Sequence, residues 1–296
     1  MRVVISGYYG LDNIGDEAVL EAIVKGLRKH NPKIKITVLS ATPATTEGAL
    51  NLKAISRFAF LEIIRELKKA DTFISGGGTL LQNSTSTKSF WYYLGLVWLA
   101  KFLKKKVMIF AQGFGPLTGQ FNLALAKKVL NRVDVITLRD PESFDKVKKL
   151  GIDQPRVELT ADPTFIFEPI APPNYKPLVG ISIRDFKGKT DQFYQDFAAF
   201  IDWLAQEFNF EPVFLLFQPQ HDQAIIENIT LHLKTKYEVL GTDYNAGQML
   251  SAISQLGLLI GMRLHSLIFA CLSSVPMLGL SYDPKVESFM KMIEQP

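Results

Sequence analysis

Four cations stand where this chain could grip an anionic ligand. Arg139 follows the apolar run VITL, Arg184 follows GISI, Arg263 follows LLIGM, and Lys285 lies in SYDPK. A guanidinium presents a planar fork of donors that fits carboxylate or phosphate with paired hydrogen bonds, whereas an ammonium acts as a point charge. Ligands of open parallel sheets gather outside the carboxyl ends of the strands. With each run read as a strand, the four cations point into one cleft and imply a small, multiply anionic substrate. One such arginine is more often a surface charge or an ion-pair partner, and an aspartate directly follows both Arg139 and Arg184. His265, two residues beyond Arg263 in GMRLHSL, suits a general acid beside a bound anion, because imidazole can hold a proton near neutral pH.

Three glycine-bearing turns follow strand-like runs. In SGYYGLDNIGDEA, Asn13, Gly15 and Asp16 fall at the start of a helix, and Asp16 reads equally as a helix cap or as a ligand contact. In ISGGGTLLQ, Gly76, Gly77 and Gly78 leave main-chain N–H groups uncovered and able to cradle an anion or a sugar. FAQGFGP places Gln112 at a further strand end, a weaker signal because Gly-Pro commonly just stops a strand. The first turn departs from the dinucleotide fingerprint G-x-G-x-x-G, and neither a P-loop nor a nucleophile elbow occurs in usable context. Asp71, Asp134 and Asp140 lack the spacing of a metal site, so no metal is expected.

The elements that must position these residues alternate from the first residue onward. RVVIS, IKITVLS, DTFIS, KVMIFAQ, DVITL and RVEL read as strands with helices between them. EPIAPPNYKP (168–177), with four prolines in ten residues, breaks both helix and strand and reads as a linker. The alternation then restarts with LVGISIR, PVFLLF, YEVLG, LGLLIG and PMLGLSY. The expected fold class is α/β, two Rossmann-like doubly wound domains (1–170 and 171–296) facing a cleft in the GT-B manner.

Composition excludes several classes. The net charge is only +4, without a basic arm, so nucleic acid is not an expected partner. Cys271 is the only cysteine and reads as a small buried hydrophobe in a reducing compartment. The N-terminal run is too short for a signal peptide, which favours the cytoplasm. FWYYLGLVWLAKFL (90–103) falls short of the roughly 20 residues a membrane span needs. It packs most simply on a sheet, although its aromatic residues and trailing Lys104, Lys105 and Lys106 leave peripheral contact with a membrane surface open.

Taken in order, GYYGLDNIGDEA, ISGGGTLLQ, FAQGFGP, ITLRDPES, TADPTF, GISIR, IGMRLHSLIFA and LSYDPKV resemble the polysaccharide pyruvyltransferases, most closely the CsaB type, over nearly the whole chain. Such proteins usually continue through further helices beyond the last motif, whereas this chain stops at Pro296, so a shortened C-terminal domain is one reading. The resemblance implies transfer of pyruvate from phosphoenolpyruvate, a donor substrate rather than a cofactor, onto two sugar hydroxyls as a ketal with release of phosphate. The implied acceptor is a lipid-linked saccharide of a cell-wall or surface polysaccharide, handled in the cytoplasm or at the inner membrane surface. It makes Arg139, Arg263 and His265 the catalytic choices, with Lys285 and Arg184 on phosphoenolpyruvate. It gives Asn13, Asp16, Gly76, Gly77, Gly78 and Gln112 to substrate binding, the first domain holding the acceptor, and leaves Asp12 and Asp16 as candidate bases. The alternatives are a GT-B nucleotide-sugar glycosyltransferase and a non-catalytic anion- or sugar-binding module.

Overall fold

The computed structural model describes residues 1–170, 176–186 and 188–295; of the proline-rich stretch, 171–175 lie outside the described residues. Contacts divide the chain into two compact units, Met1–Leu11 with Asp16–Ile166, and Asp12–Gly15 with Phe167–Pro296. The sequence reading put all of 1–170 in one domain, whereas the segment Asp12–Gly15 groups with the second unit.

The first unit runs β1 (Arg2–Ser6), α1 (Ile14–His30), β2 (Lys35–Ser40), α2 (Pro43–Leu50), β3 (Lys53–Ser56), α3 (Phe60–Lys69), β4 (Thr72–Ser75), β5 (Gly78–Leu81), α4 (Thr87–Phe102), β6 (Lys106–Phe114), α5 (Gln120–Leu130), β7 (Val135–Leu138), α6 (Pro141–Lys149) and β8 (Arg156–Leu159). All pairings are parallel, in the order β3-β2-β1-β4-β6-β7-β8, and β5 takes up pairing with β6 beyond β4. The order reverses between β1 and β4, the position at which open α/β sheets bind ligands. Side chains alternate in period two: Val3, Ile5 and Ile74 pack with Val19 and Ile23 of α1, while Val4, Phe73 and Val107 face Phe90, Leu94 and Val97 of α4. Both faces are therefore covered, as continuous apolar strands require.

The second unit runs β9 (Leu178–Ser182), α7 (Asp191–Phe208), β10 (Glu211–Leu215), α8 (Pro219–Thr230), β11 (Glu238–Leu240), α9 (Ala246–Ile253), β12 (Leu258–Gly261), α10 (Leu264–Leu272), β13 (Met277–Gly279) and α11 (Pro284–Met292). Its five parallel strands follow the order β11-β10-β9-β12-β13, with the reversal between β9 and β12. Ile181, Phe214, Ile225 and Ile229 build the core on one face, and Val179, Leu204 and Ile260 on the other.

The sequence reading missed α2, β3 and β5. KAIS holds two buried residues between polar ends, too brief for a period to register. PATTEGAL has no apolar stripe, and GTLL begins on a glycine that reads as a turn. Cys271 is half-buried rather than buried, and its burial pushes the thiol pKa up.

Candidate active site

In the first unit the reversal point brings the loops after β1 and β4 together. Gly76 donates its N–H to the Ser6 carbonyl at 2.8 Å, as a ladder bond, and is not open to a ligand. A Cβ at Gly76 would meet the Tyr9 hydroxyl at 2.2 Å, and one at Gly77 would meet Val19 at 2.5 Å. Gly78 sits at φ +85°, beyond ordinary side chains, and opens β5 opposite Gln112. Close packing at Gly76 and Gly77 and the strand that resumes at Gly78 each call for glycine, and the Gly76 N–H is not available to the anion cradle expected from sequence.

The amide NH2 of Gln112 is likewise committed, while its Oε1 is buried without a partner among the described residues. Its amide donates to the Ser75 carbonyl (3.1 Å), the Ser75 hydroxyl (2.8 Å) and the Gly76 carbonyl (3.0 Å), pinning the break between β4 and β5. Tyr9 fills the space beneath that break. Burial, then the charges of Asp16 and Glu17, hold its phenol well above the usual 10.0, so it stays neutral. Asp16, in the first turn of α1, places a carboxylate oxygen 3.1 Å from where a Cβ of Gly78 would stand.

Arg139, directly after β7, is buried, and its partner is not Asp140. Asp140 caps α6, accepting from the Ser143 N–H and hydroxyl, each at 2.8 Å. Arg139 instead donates through Nη1 to Asp162 at 2.8 Å and through Nη2 to the Thr79 hydroxyl at 3.2 Å. The other oxygen of Asp162 accepts from the N–H (3.1 Å) and hydroxyl (2.8 Å) of Thr164, so the carboxylate is fixed before it meets the arginine.

The second unit holds the remaining candidates. Arg263, at the N-cap of α10, is bound by the fully buried Asp222 and by Gln218 Oε1 at 3.3 Å. Asp222 is held by the N–H groups of Phe217 (3.1 Å) and Gln218 (2.8 Å), which repeats the arrangement at Arg139. Arg263 Nε is buried without an acceptor among the described residues. His265 sits on the first turn of α10 against the backbone of Gly15, where a Cβ would lie 2.1 Å from Nδ1. Asn13 shapes that backbone by accepting from Gly15 N–H at 3.1 Å, and Asp12 accepts from Gln220 at 3.3 Å. Asn13 was expected in the acceptor-holding domain; it falls instead in the unit that carries His265.

Arg184 and Lys285 meet at one aromatic ring. Arg184 Nη1 donates to the Tyr282 hydroxyl at 3.0 Å with its guanidinium 5.1 Å from the ring centroid, and Lys285 Nζ stands 5.7 Å from the same centroid. Lys285 is 3.6 Å from Asp283, the cap of α11, whereas Arg184 has no carboxylate partner among the described residues. Both cations are half-buried.

Sequence reasoning missed Asp162, Asp222, Tyr282 and Arg57. Arg57 follows β3 and is buried among Phe58, Tyr92 and Tyr93, donating to the Tyr93 hydroxyl at 3.1 Å. The missed strand hid its place at a strand end. Among the described residues, no group of three or more His, Cys, Asp or Glu could hold a metal ion.

Residues 13–284 match the family model described as Polysaccharide pyruvyl transferase. The amylovoran biosynthesis protein AmsJ of Erwinia amylovora is 21% identical in an alignment covering 100% of this chain and 87% of that protein. Among solved structures, the S. aureus MnaA–UDP complex has a TM-score of 0.67 at 11% identity, covering 99% of this chain and 81% of that one. The Anabaena HepE complex with UDP-glucose has a TM-score of 0.61 at 14% identity, covering 94% and 80%. The fold is that of GT-B enzymes.

Proposed function

This chain belongs to the polysaccharide pyruvyl transferase family, and on that premise we propose that it takes pyruvate from phosphoenolpyruvate and closes it as a ketal on two hydroxyls of a saccharide acceptor. The observation that carries the donor assignment is the pairing of Arg184 and Lys285 around Tyr282, two half-buried cations of which the arginine lacks a carboxylate partner among the described residues. Phosphoenolpyruvate, compact and bearing a carboxylate and a phosphate, suits such a pair, since guanidinium binds either group through two hydrogen bonds. Arg263 and Arg139, each fixed by a buried carboxylate, supply oriented positive charge.

His265 protonates the methylene carbon of the donor, which leaves an oxocarbenium-like centre at the adjacent carbon. A sugar hydroxyl adds there, phosphate departs with its bridging oxygen, and the second hydroxyl closes the ketal. One hydroxyl proton replaces the proton given by His265, and the other leaves with phosphate. Asp16 is the candidate to accept a hydroxyl proton. The acceptor is a polysaccharide or its lipid-linked precursor, and no cofactor takes part.

The test is release of inorganic phosphate from phosphoenolpyruvate in the presence of lipid-linked or synthetic saccharides, with UDP-sugars as alternative donors. Acceptor-dependent phosphate release and a ketal-bearing product support the proposal. Turnover of a UDP-sugar with release of UDP, and none of phosphoenolpyruvate, overturns it.

A further inference from the structure

Helix α4 is apolar on both sides. Its inner face, with Phe90, Leu94 and Val97, is buried on the sheet. The outer face carries Trp91 (49% exposed), Trp98 (48%) and Phe102 (68%), with Phe121 of α5 at 70%. At about 100° per residue the three α4 side chains fall within an arc of about 40°, a stripe some 16 Å long. Trp98 and Phe102 stack at 5.3 Å, and Trp91 Nε1 donates to Asn122 of α5 at 3.0 Å, which ties the stripe to Phe121. A helix that is hydrophobic all round is buried or meets an apolar phase.

Charge says which phase. Between Asp71 and Asp134 the chain has no acidic residue and eight basic ones, a bias hidden by the small net charge of the whole. Lys101 is bound to Asp134, but Lys88, Lys104 and Lys128 are exposed beside the aromatic residues. Aromatic rings flanked by lysines match the boundary of an anionic bilayer, where rings enter the headgroup layer and ammonium groups meet lipid phosphates. Because α4 follows β5, its first turn lies at the carboxyl ends of the strands, beside the loops of the candidate site.

We infer that the outer face of α4 with Phe121 is a docking surface for an anionic phospholipid membrane. The inference does not rest on the reaction proposed above. It is tested on the full chain by flotation with phosphatidylcholine vesicles, with and without phosphatidylglycerol, and by sedimentation. The chain should bind only the anionic vesicles and lose binding in high salt. Trp98→Ser with Phe102→Ser should weaken binding at least about tenfold, the lower bound for withdrawing one large side chain from an apolar phase. Lys104→Gln and Lys128→Gln should each weaken it about fivefold, the fold-change for one basic residue near an anionic surface. In a Trp203→Phe background, where only the two α4 tryptophans remain, brominated lipid should quench fluorescence, a reading that stands even where the serine pair does not fold. Vesicle binding unchanged by the serine pair, absent quenching, or a dimer that the serine pair dissociates without any vesicle binding would each overturn the inference.

Discussion

Asp162→Asn isolates what the buried pair under Arg139 contributes. Asp162 is 4% exposed and Arg139 6%, so water offers neither group an alternative partner. The carboxylate accepts from Arg139 Nη1 on one oxygen and from two Thr164 donors on the other. Asparagine has the same shape, but in either amide orientation its NH2 group is set against a donor, the guanidinium in one case and Thr164 in the other. A buried cation left without its counter-ion costs about 3–5 kcal/mol. For a unit of this size, at about 2–4 °C per kcal/mol, the unfolding transition of the first unit should fall by about 6–20 °C. Calorimetry reads the shift. Arg139→Met combined with Asp162→Asn should cost clearly less than the two single changes added, because neither partner is then stranded. Arg139→Lys, which keeps the charge but loses the fork that reaches both Asp162 and Thr79, should stay folded and lose about tenfold or more in kcat/KM, the scale of one charged hydrogen bond. An Asp162→Asn protein within about 1 kcal/mol of the parent would refute the reasoning, since burial of an unpaired charge on that scale is not tolerated.

Two further outcomes are expected. His265→Gln should lower turnover by about 10²-fold or more, the usual scale for a general acid, with little change in phosphoenolpyruvate affinity; Gly15→Ala, whose Cβ would press on the imidazole and its own Cβ, should reproduce that split in calorimetry and steady-state kinetics, and normal turnover in either variant would remove His265 from the proton-transfer role. Tyr9 has a raised phenol pKa in the folded chain, so its stabilising share is whole below the usual value of 10.0 and is lost as pH climbs above it, at about 1.4 kcal/mol per pH unit. Tyr9→Phe should therefore flatten the alkaline side of the stability curve measured by urea unfolding at several pH values, and should cost little near neutrality because the hydroxyl is buried without a partner among the described residues.

The strands that carry the candidates were readable because each is a short apolar run of branched side chains with its ends marked by glycine, proline or charge. VITL before Arg139 and LLIG before Arg263 are such runs. What could not be read was where each cation's hydrogen bonds go. Asp140 lies next to Arg139 in sequence, but the chain turns there from strand to helix and the Pro141 start of α6 makes Asp140 a cap. Asp162 lies 23 residues away and reaches Arg139 through the β7–β8 pairing. Asp222 lies on α8, 41 residues before Arg263, where no local pattern marks it. The glycines of ISGGGTLLQ were visible as glycines, but the need for them comes from Tyr9 and Val19 packed against their backbone. Spacing alone cannot separate that need from an open cradle.

The four cations are held in two different ways, and under the proposed reaction the two kinds would divide the work of binding. An arginine has five N–H donors, and a carboxylate that takes one or two of them leaves the rest aimed in fixed directions. Arg139 and Arg263 are each held this way, by carboxylates that are themselves held by backbone N–H groups, so their charge needs no reorganisation when an anion forms or departs. The guanidinium of Arg184 and the ammonium of Lys285 rest instead on the ring of Tyr282, a weaker hold of about 0.5–1 kcal/mol at a half-exposed site. They can move onto a ligand at small cost. Under the proposed reaction, a donor that arrives with two anionic groups and leaves one of them behind on the product calls for both behaviours within the second unit: an adaptable pair, Arg184 and Lys285, to take up and release phosphate, and a rigidly held Arg263 two residues before His265. On that division, Tyr282→Leu should weaken donor binding while leaving kcat nearly intact, and Asp222→Asn should do the reverse; a Tyr282→Leu variant that loses kcat at unchanged affinity would show that the division is wrong.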